Sequence, residues 1–318
     1  DHSLLILPLF HVNGIVVSVL SPLRAGGRAT IAGRFDPRTF FATLEAARPT
    51  YFSGVPAIYT MLANLPAEVE PDTSSLRFVA CGAAPMPGAL ISRVEERFGV
   101  VLIEGYGLSE GTCASTSNPL DGVRKPGTVG VALPGQTVAV MAPDGTLVPR
   151  GERGEVVIQG PTVMRGYHNR PEETAQALKD GWLHTGDVGI LDEDGYLRIV
   201  DRMKDMIIRG GENIYPQEIE HAIHAHPAVL EAAVVGRPHP VMGEEPVAFV
   251  ALREGATLDE DELVAFLTQR IAKFKLPTSV TFVDEVPKNP VGKFDKPRLR
   301  ATIASAGASA MSPGEETS

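Results

Sequence analysis

The chain has 318 residues, 43% hydrophobic and 21% charged, and its 32 Gly and 26 Pro predict many tight turns between short elements rather than long helices or a coiled coil. A single core stops growing at about 250 to 300 residues, so two domains are expected. A net charge of −10 without a Lys/Arg block excludes a grip on a long nucleic-acid backbone, and two cysteines, Cys81 and Cys113, are too few for a disulfide framework or a four-cysteine zinc site and suit a reducing, cytoplasmic address.

Asp1 leads straight into an apolar strand pattern, with neither Met nor a charged leader, so upstream residues are expected in the natural protein. Leu4 to Leu9 is broken by Pro8 and falls far short of the roughly 20 residues of a membrane helix, so no integral membrane segment is expected. Apolar, β-rich runs at Tyr51 to Val55, Phe78 to Cys81 and Val100 to Ile103 alternate with helical patterns at Phe40 to Arg48, Ile58 to Leu65 and Gly88 to Phe98. That alternation predicts a parallel sheet covered by helices over residues 1–118. From 119 to 201, Asp144-Gly145, Asp180-Gly181 and Asp194-Gly195 punctuate short strands and predict an antiparallel, distorted barrel-like subdomain that completes a large domain.

A small α+β domain is expected over 202–303. A helix from Pro216 presents Ile219, Ala222 and Ile223 on one face, and a second opens with the capping pattern Thr257 to Glu260 and carries Leu263, Phe266, Leu267 and Ile271 at helical spacing. Strands are expected at Val229 to Val235, Val247 to Leu252 and Ser279 to Val283. From Ala304 no apolar period survives, and residues 304–318 are expected to be a disordered tail.

Five runs carry chemistry. Gly82-Ala83-Ala84-Pro85-Met86 follows a buried strand, where small residues let a flat ligand approach the backbone or form a tight turn. Gly105-Tyr106-Gly107-Leu108-Ser109-Glu110 follows another, where the ring of Tyr106 suits a purine, the Ser109 hydroxyl a phosphate and the Glu110 carboxylate Mg²⁺; an ordinary strand-to-loop turn is the alternative. Gly181 to Asp187, with Gly195 to Arg202 behind it, offers Asp187 and Arg202 as a ribose clamp or as a surface ion pair. Met203 to Pro216 comes next. Last, Pro287 to Lys293 displays a lysine on a Pro/Gly-bounded loop that either enters a site built elsewhere or is simply solvated.

Taken in this order, the five runs resemble the adenylate-forming superfamily of acyl- and aryl-CoA synthetases, peptide-synthetase adenylation domains and luciferases, over residues 1 to about 300. The resemblance implies an enzyme that joins a carboxylic acid to the α-phosphate of ATP, releases pyrophosphate, and passes the acyl group from acyl-AMP to a thiol, with ATP, Mg²⁺ and coenzyme A as ligands and AMP as product. It implies that Lys293 supplies the cation at the α-phosphate and that Glu110 holds Mg²⁺. Adenine is placed against Gly82, Ala83, Ala84 and Tyr106, with Glu104 near its amino edge, the ribose on Asp187 and Arg202, Ser109 where the family usually has Thr, and Gly105, Gly107 and Ile199 also among the nucleotide-binding residues.

Lys204 matches the family's hinge, about which the small domain rotates to withdraw Lys293 and present Gly210 and Gly211 to the pantetheine tunnel. Pro8 to Gly14 resembles the acyl-pocket entrance, with His11 as catalytic gate and Val12, Val55, Ala83 and Gly107 shaping the pocket. Amino-acid-activating members carry Asp at the place of His11 to pair the ammonium; this chain has no such counter-ion, which disfavours an α-amino acid. The family's Ser/Thr/Gly-rich phosphate loop lies upstream of the segment that opens this chain, so truncation is expected, and the 318 residues alone should exchange pyrophosphate poorly.

The leading expectation is a CoA ligase for a fatty or aryl acid, with small-molecule partners and room for a homodimer. A carrier-protein loading enzyme and a non-catalytic nucleotide-binding fragment are the alternatives.

Overall fold

A computed structural model describes residues 1–84, 86–289 and 293–310. Pro85, within the Gly82 run, Pro290-Val291-Gly292, within the lysine loop, and 311–318 of the expected tail lie outside them. The chain divides into two compact units, Asp1–Ile199 and a second that begins at Val200.

The first unit opens on a seven-stranded sheet in which β1 (His2–Leu5), β2 (Arg28–Ile31), β3 (Tyr51–Gly54), β4 (Phe78–Cys81) and β5 (Leu102–Tyr106) run parallel, and β6 (Thr116–Ser117) and β7 (Val131–Ala132) add antiparallel at one end, in the order β2-β1-β3-β4-β5-β6-β7. Parallel strands buried on both faces read as apolar runs, which is why β3 to β5 are visible in sequence. The short α1 (Ser21–Arg24), α2 (Phe40–Ala47), α3 (Pro56–Ala63) and α4 (Gly88–Phe98) fall between them. Phe40, Leu44, Tyr59, Leu62, Val94 and Phe98 from these helices close one core with Leu4, Phe52 and Val79 of the sheet. Pro56 opens α3 where a missing N–H costs nothing, and Gly99, at φ 61°, ends α4 in the left-handed region.

The expected strand Leu4 to Leu9 is shorter than its apolar pattern. Pro8 cannot extend a ladder, and the chain instead enters a π-helical stretch at Asn13–Leu20, leaving Leu9 and Phe10 exposed.

Beyond this sheet lie β8 (Thr137–Met141), β9 (Arg153–Gln159), α5 (Pro171–Ala177), β10 (Leu178–Lys179), β11 (Trp182–Leu191) and β12 (Leu197–Arg202). The strands form a five-stranded antiparallel sheet, β10-β11-β9-β8 with β12 on β11, which is the expected barrel-like element. Its small core holds Val140, Val156 and Leu197.

The second unit is a five-stranded sheet of β13 (Ile207–Arg209), β14 (Glu212–Ile214), β15 (Val229–His239), β16 (Gly243–Leu252) and β17 (Ser279–Phe282). Side chains alternate across β15, so Ala232 and Val234 join Ile219 and Ile223 of α6 (Pro216–His224) and Leu263 and Leu267 of α7 (Glu260–Thr268), while Ala233 and Val235 join Leu299 of α8 (Lys296–Ala310). The sheet is thus covered on both faces.

Two expectations are corrected here. The capping box of α7 is Asp259 with Glu262, not Thr257 with Glu260: Asp259 accepts the Glu262 N–H at 2.8 Å, and Glu260 is drawn off to accept the Val280 N–H at 3.0 Å. The chain beyond Ala304 stays helical to Ala310, since helix started by the packing of Leu299 propagates through alanine-rich sequence.

Candidate functional site

In open α/β sheets, ligand groups gather beyond the carboxyl ends of the strands. In the first unit, β4 delivers Gly82, Ala83 and Ala84 there, and β5 delivers Glu104, Gly105 and Tyr106, with Cys81 registered against Glu104. Ala83 sits at φ 72°, a strained conformation for a residue with a Cβ, and both Ala83 and Ala84 are exposed. A Cβ added to Gly82 would lie 3.4 Å from Asn13 Nδ2 and 3.5 Å from the Gly105 carbonyl, so the start of the π-helical stretch, β4 and β5 converge at that glycine. Asn13 is fixed by the Ser53 hydroxyl, which donates to its Oδ1 at 2.9 Å.

Gly107 is required by close approach. A Cβ there would collide with the backbone of Cys113 and Ala114, because the chain folds back through left-handed Thr112 and Cys113 to let Ser115 N–H bond the Tyr106 carbonyl at 2.8 Å. Ser109 and Glu110 lie in the intervening 3-10 turn, Ser109 exposed and Glu110 half-buried. Tyr167 donates its hydroxyl to Glu110 Oε1 at 2.8 Å, and burial, followed by the proximity of that carboxylate, pushes the phenol up to about 12.

Asp187 comes from the other sheet. The register of β11 against β9 shifts between His184 and Val188, and the bulge carries Gly186 at φ 69° and turns the buried Asp187 aside from the ladder. Three bonds hold the bulge. The Thr185 hydroxyl donates to Val156 O at 2.7 Å and accepts the Asp187 N–H at 3.1 Å, while Glu155 Oε1 accepts the Gly186 N–H at 3.0 Å. Tyr106 donates its hydroxyl to Asp187 Oδ2 at 2.6 Å, so the aromatic ring and the carboxylate meet although they are 81 positions apart. Glu104 is 6% exposed, and burial pushes its carboxyl up to about 7 against the N–H groups of Gly127 and Met86, the former 3.3 Å from Oε2.

His11 lies with its ring 5.0 Å from that of Phe10 and, like Val12, is half-buried just before the π-helical stretch. Val55 is the residue before α3, packed against the core, and Ile199 ends the unit against the core of the second sheet. Among the described residues, no group of three or more His, Cys, Asp or Glu is arranged to hold a metal, and no helix is long and apolar enough to cross a membrane.

The second unit carries the remaining candidates. Arg202 is the exposed last residue of β12, and Lys204 is exposed in the 3-10 turn Met203–Asp205. Gly210 and Gly211, at φ 60° and 87°, form the two-residue turn that joins β13 and β14, a hairpin geometry that demands glycine independently of any ligand. Lys293 stands on a turn in which its N–H bonds Asn289 Oδ1 at 3.0 Å and Asn289 N–H bonds its carbonyl at 2.8 Å.

Tyr167 and Glu155 carry no signal in the sequence, because their roles depend on contacts with residues distant in the chain. Asn13 and Thr185 lie inside the recognised runs, but only the folded geometry gives them a task.

Residues 1–168 match the sequence family described as AMP-binding enzyme, and residues 218–293 match the AMP-binding enzyme C-terminal domain. The chain is similar to a feruloyl-CoA synthase from an Amycolatopsis species, 42% identical over 94% of this chain and 61% of the relative. It is also similar to a long-chain-fatty-acid–CoA ligase from Bacillus subtilis, 41% identical over 92% of this chain and 53% of the relative. Among solved structures, ATP-bound MatB from Rhodopseudomonas palustris aligns with a TM-score of 0.89 at 40% identity, over 95% of this chain and 60% of that one. The chain thus spans between 53% and 61% of the length of these proteins.

Proposed function

The chain belongs to the AMP-binding enzyme family, and from that premise we propose that it serves an acyl-CoA synthetase, which activates a fatty or aryl acid with ATP and transfers the acyl group to coenzyme A. The observation that carries this reading is the hydrogen bond from Tyr106 to Asp187, which sets an aromatic face beside an acceptor carboxylate. A nucleoside needs that pair: a flat surface for its base and an acceptor for its ribose hydroxyls.

Chemistry follows from placing AMP there. The acid's carboxylate attacks the α-phosphorus, the bond to the β-phosphate breaks, and pyrophosphate leaves. Lys293 supplies a cation to the charge that grows on the α-phosphate oxygens, a job pre-positioned charge does better than water. Glu110 fits Mg²⁺ in the way that ion is usually held, by one or two carboxylates with the substrate's phosphates completing its shell. Its Oε1 takes one bond from Tyr167, and a carboxylate has acceptor capacity beyond one bond. When bound, the ion neutralises phosphate charge and orients the leaving pyrophosphate. In the second half-reaction a thiolate arrives past Gly210 and Gly211 and attacks the acyl carbon, and AMP departs with the electrons of the acyl–oxygen bond that breaks. His11 and Val12 flank the acid, and none of His11, Val12, Val55, Ala83 and Gly107 is a carboxylate that could pair an ammonium.

The test is pyrophosphate release across short, long and aromatic acids with free CoA, run on this chain and on a form extended at its N-terminus to the length of the relatives. The extended form should release pyrophosphate and consume CoA with at least one fatty or aryl acid, and this chain alone should do so poorly. A nucleotide-bound structure with base and sugar away from Tyr106 and Asp187 would overturn the assignment. CoA left unconsumed while a carrier-protein thiol is acylated would overturn the acceptor.

A further inference from the structure

The second unit hides charges that no step above uses. The turn bearing Lys293 has two stems, and a lysine pegs each to the body of the unit. In the incoming stem, Lys288 meets Glu231 of β15 at 2.7 Å. In the outgoing stem, Lys296, the first residue of α8, meets Glu220 of α6 at 2.8 Å, with only 13% and 12% of the two side chains exposed. Glu220 Oε1 also accepts the Val234 N–H at 2.8 Å, which orients it.

Lys296 has further neighbours. Burial alone would push its ammonium toward the neutral form, yet Glu220, Asp201 and Asp205 together hold it charged. Asp201 is 1% exposed and accepts N–H bonds from Arg202 and Gln217 at 2.7 and 2.9 Å. Asp205 pairs with Arg300 at 2.7 Å, and Arg300 stands four residues after Lys296, on the same face of α8. Asp201 and Asp205 bracket Lys204, so one face of α8 is bonded to the segment around the proposed hinge while the helix's first residue closes the lysine turn.

Buried ion pairs add little net stability, because desolvation consumes most of the attraction, and their best-attested use is to fix geometry. The turn that carries Lys293 sets where its ammonium can reach, and misplacing a catalytic group by about 1 Å can cost on the order of a hundredfold in rate. We propose that Lys296 and Arg300 are positioning residues that lock the Lys293 turn to the segment 201–205, so that hinge and lysine turn behave as one rigid piece. This deepens the proposed function and rests on it for the role of Lys293.

The experiment has one arm that needs no catalysis. Lys296→Met keeps length and removes charge. In the full chain it should speed amide hydrogen exchange at Asn289 and Lys293 at least about tenfold, as expected when a local opening becomes easier, and leave Ala248 in β16 unchanged. In a chain active in ATP–pyrophosphate exchange it should lower kcat about tenfold with KM for ATP unchanged, the signature of a group that acts only in the transition state. Thioester formation from supplied acyl-AMP should persist, and Lys296→Arg should restore much of the loss. If Lys296→Met does not fold, Arg300→Gln, at a more exposed pair, carries the same readouts. Unchanged exchange at Asn289 and Lys293, or equal losses in both half-reactions, would overturn the proposal. A parent protein that makes no acyl-AMP would defeat the proposed function and leave the hydrogen-exchange arm to decide the strut.

Discussion

The two units hold their candidate groups in opposite ways. In the first, side chain and scaffold are one object: Tyr106 is the last residue of a paired strand, Asp187 is the product of a bulge, and Glu104 is buried with its carboxylate on a backbone N–H. In the second, Lys293 sits on a turn closed by its own backbone and the Asn289 amide, with the stems pegged by other lysines. Chemistry should therefore separate from stability at Lys293 and be entangled with it at Glu104 and Tyr106.

The largest effect is expected where the separation is cleanest. Lys293→Ala deletes the charge and keeps both bonds between Asn289 and the backbone of residue 293, so the loss of stability should be small beside the loss of chemistry. Acyl-AMP formation should fall on the order of a thousandfold, the scale seen when one preorganised stabiliser of developing charge is removed. Thioester formation from supplied acyl-AMP should survive. Pyrophosphate exchange beside single-turnover thiolysis reads both, and equal loss in the two, or a marked drop in thermal midpoint, would erase the contrast between the units.

Glu104 tests the entangled side. Its folded carboxyl titrates at about 7 against an ordinary 4.5. The folded state therefore binds the proton more tightly than the unfolded chain, and stability falls as pH rises from 4.5 through about 7. Each pH-unit displacement is worth about 1.4 kcal/mol, so this one carboxyl should remove roughly 3 kcal/mol across the window. Glu104→Gln lacks that dependence, and its advantage over the parent should grow between pH 5 and pH 8. Asp201, raised by burial to about 6, titrates in part of the same range, but it is common to both proteins and cancels in the difference. Urea unfolding of both proteins at the two pH values measures it. A difference that does not vary with pH would mean that Glu104 is hydrated in solution.

How much of this could be read from residues alone follows the same division. Parallel strands buried on both faces announce themselves as apolar runs, so the alternation through Phe78 to Cys81 and Val100 to Ile103 was legible, and so was the Gly-rich run that ends β5. The bonds that build the site were not. Tyr106 to Asp187 and Tyr167 to Glu110 span 81 and 57 positions and depend on a bulge and a turn that no local pattern specifies. The π-helical stretch after Pro8 was hidden because apolar residues suit strand and helix alike. The capping box of α7 was misplaced by two residues because Thr257 and Asp259 both have an acidic residue three positions on, and only packing against β17 draws Glu260 away.

The smallest effect belongs to Tyr106→Phe, which sharpens the comparison by splitting scaffold from chemistry inside one residue. The ring stays for the base, and the bulge at Asp187 keeps its bonds from Thr185 and Glu155. The 2.6 Å bond that aims the carboxylate is lost. Hydrogen bonds to charged groups contribute about 1.5 to 3 kcal/mol, and part of that returns when Asp187 finds water or the ribose. The dissociation constant for AMP, measured by calorimetry on this chain, should thus rise about tenfold with the thermal midpoint nearly unchanged. An unchanged constant would show that the bulge alone positions Asp187. A far greater loss accompanied by a lower midpoint would show that the hydroxyl clamps the two sheets together, and that scaffold and chemistry cannot be parted even here.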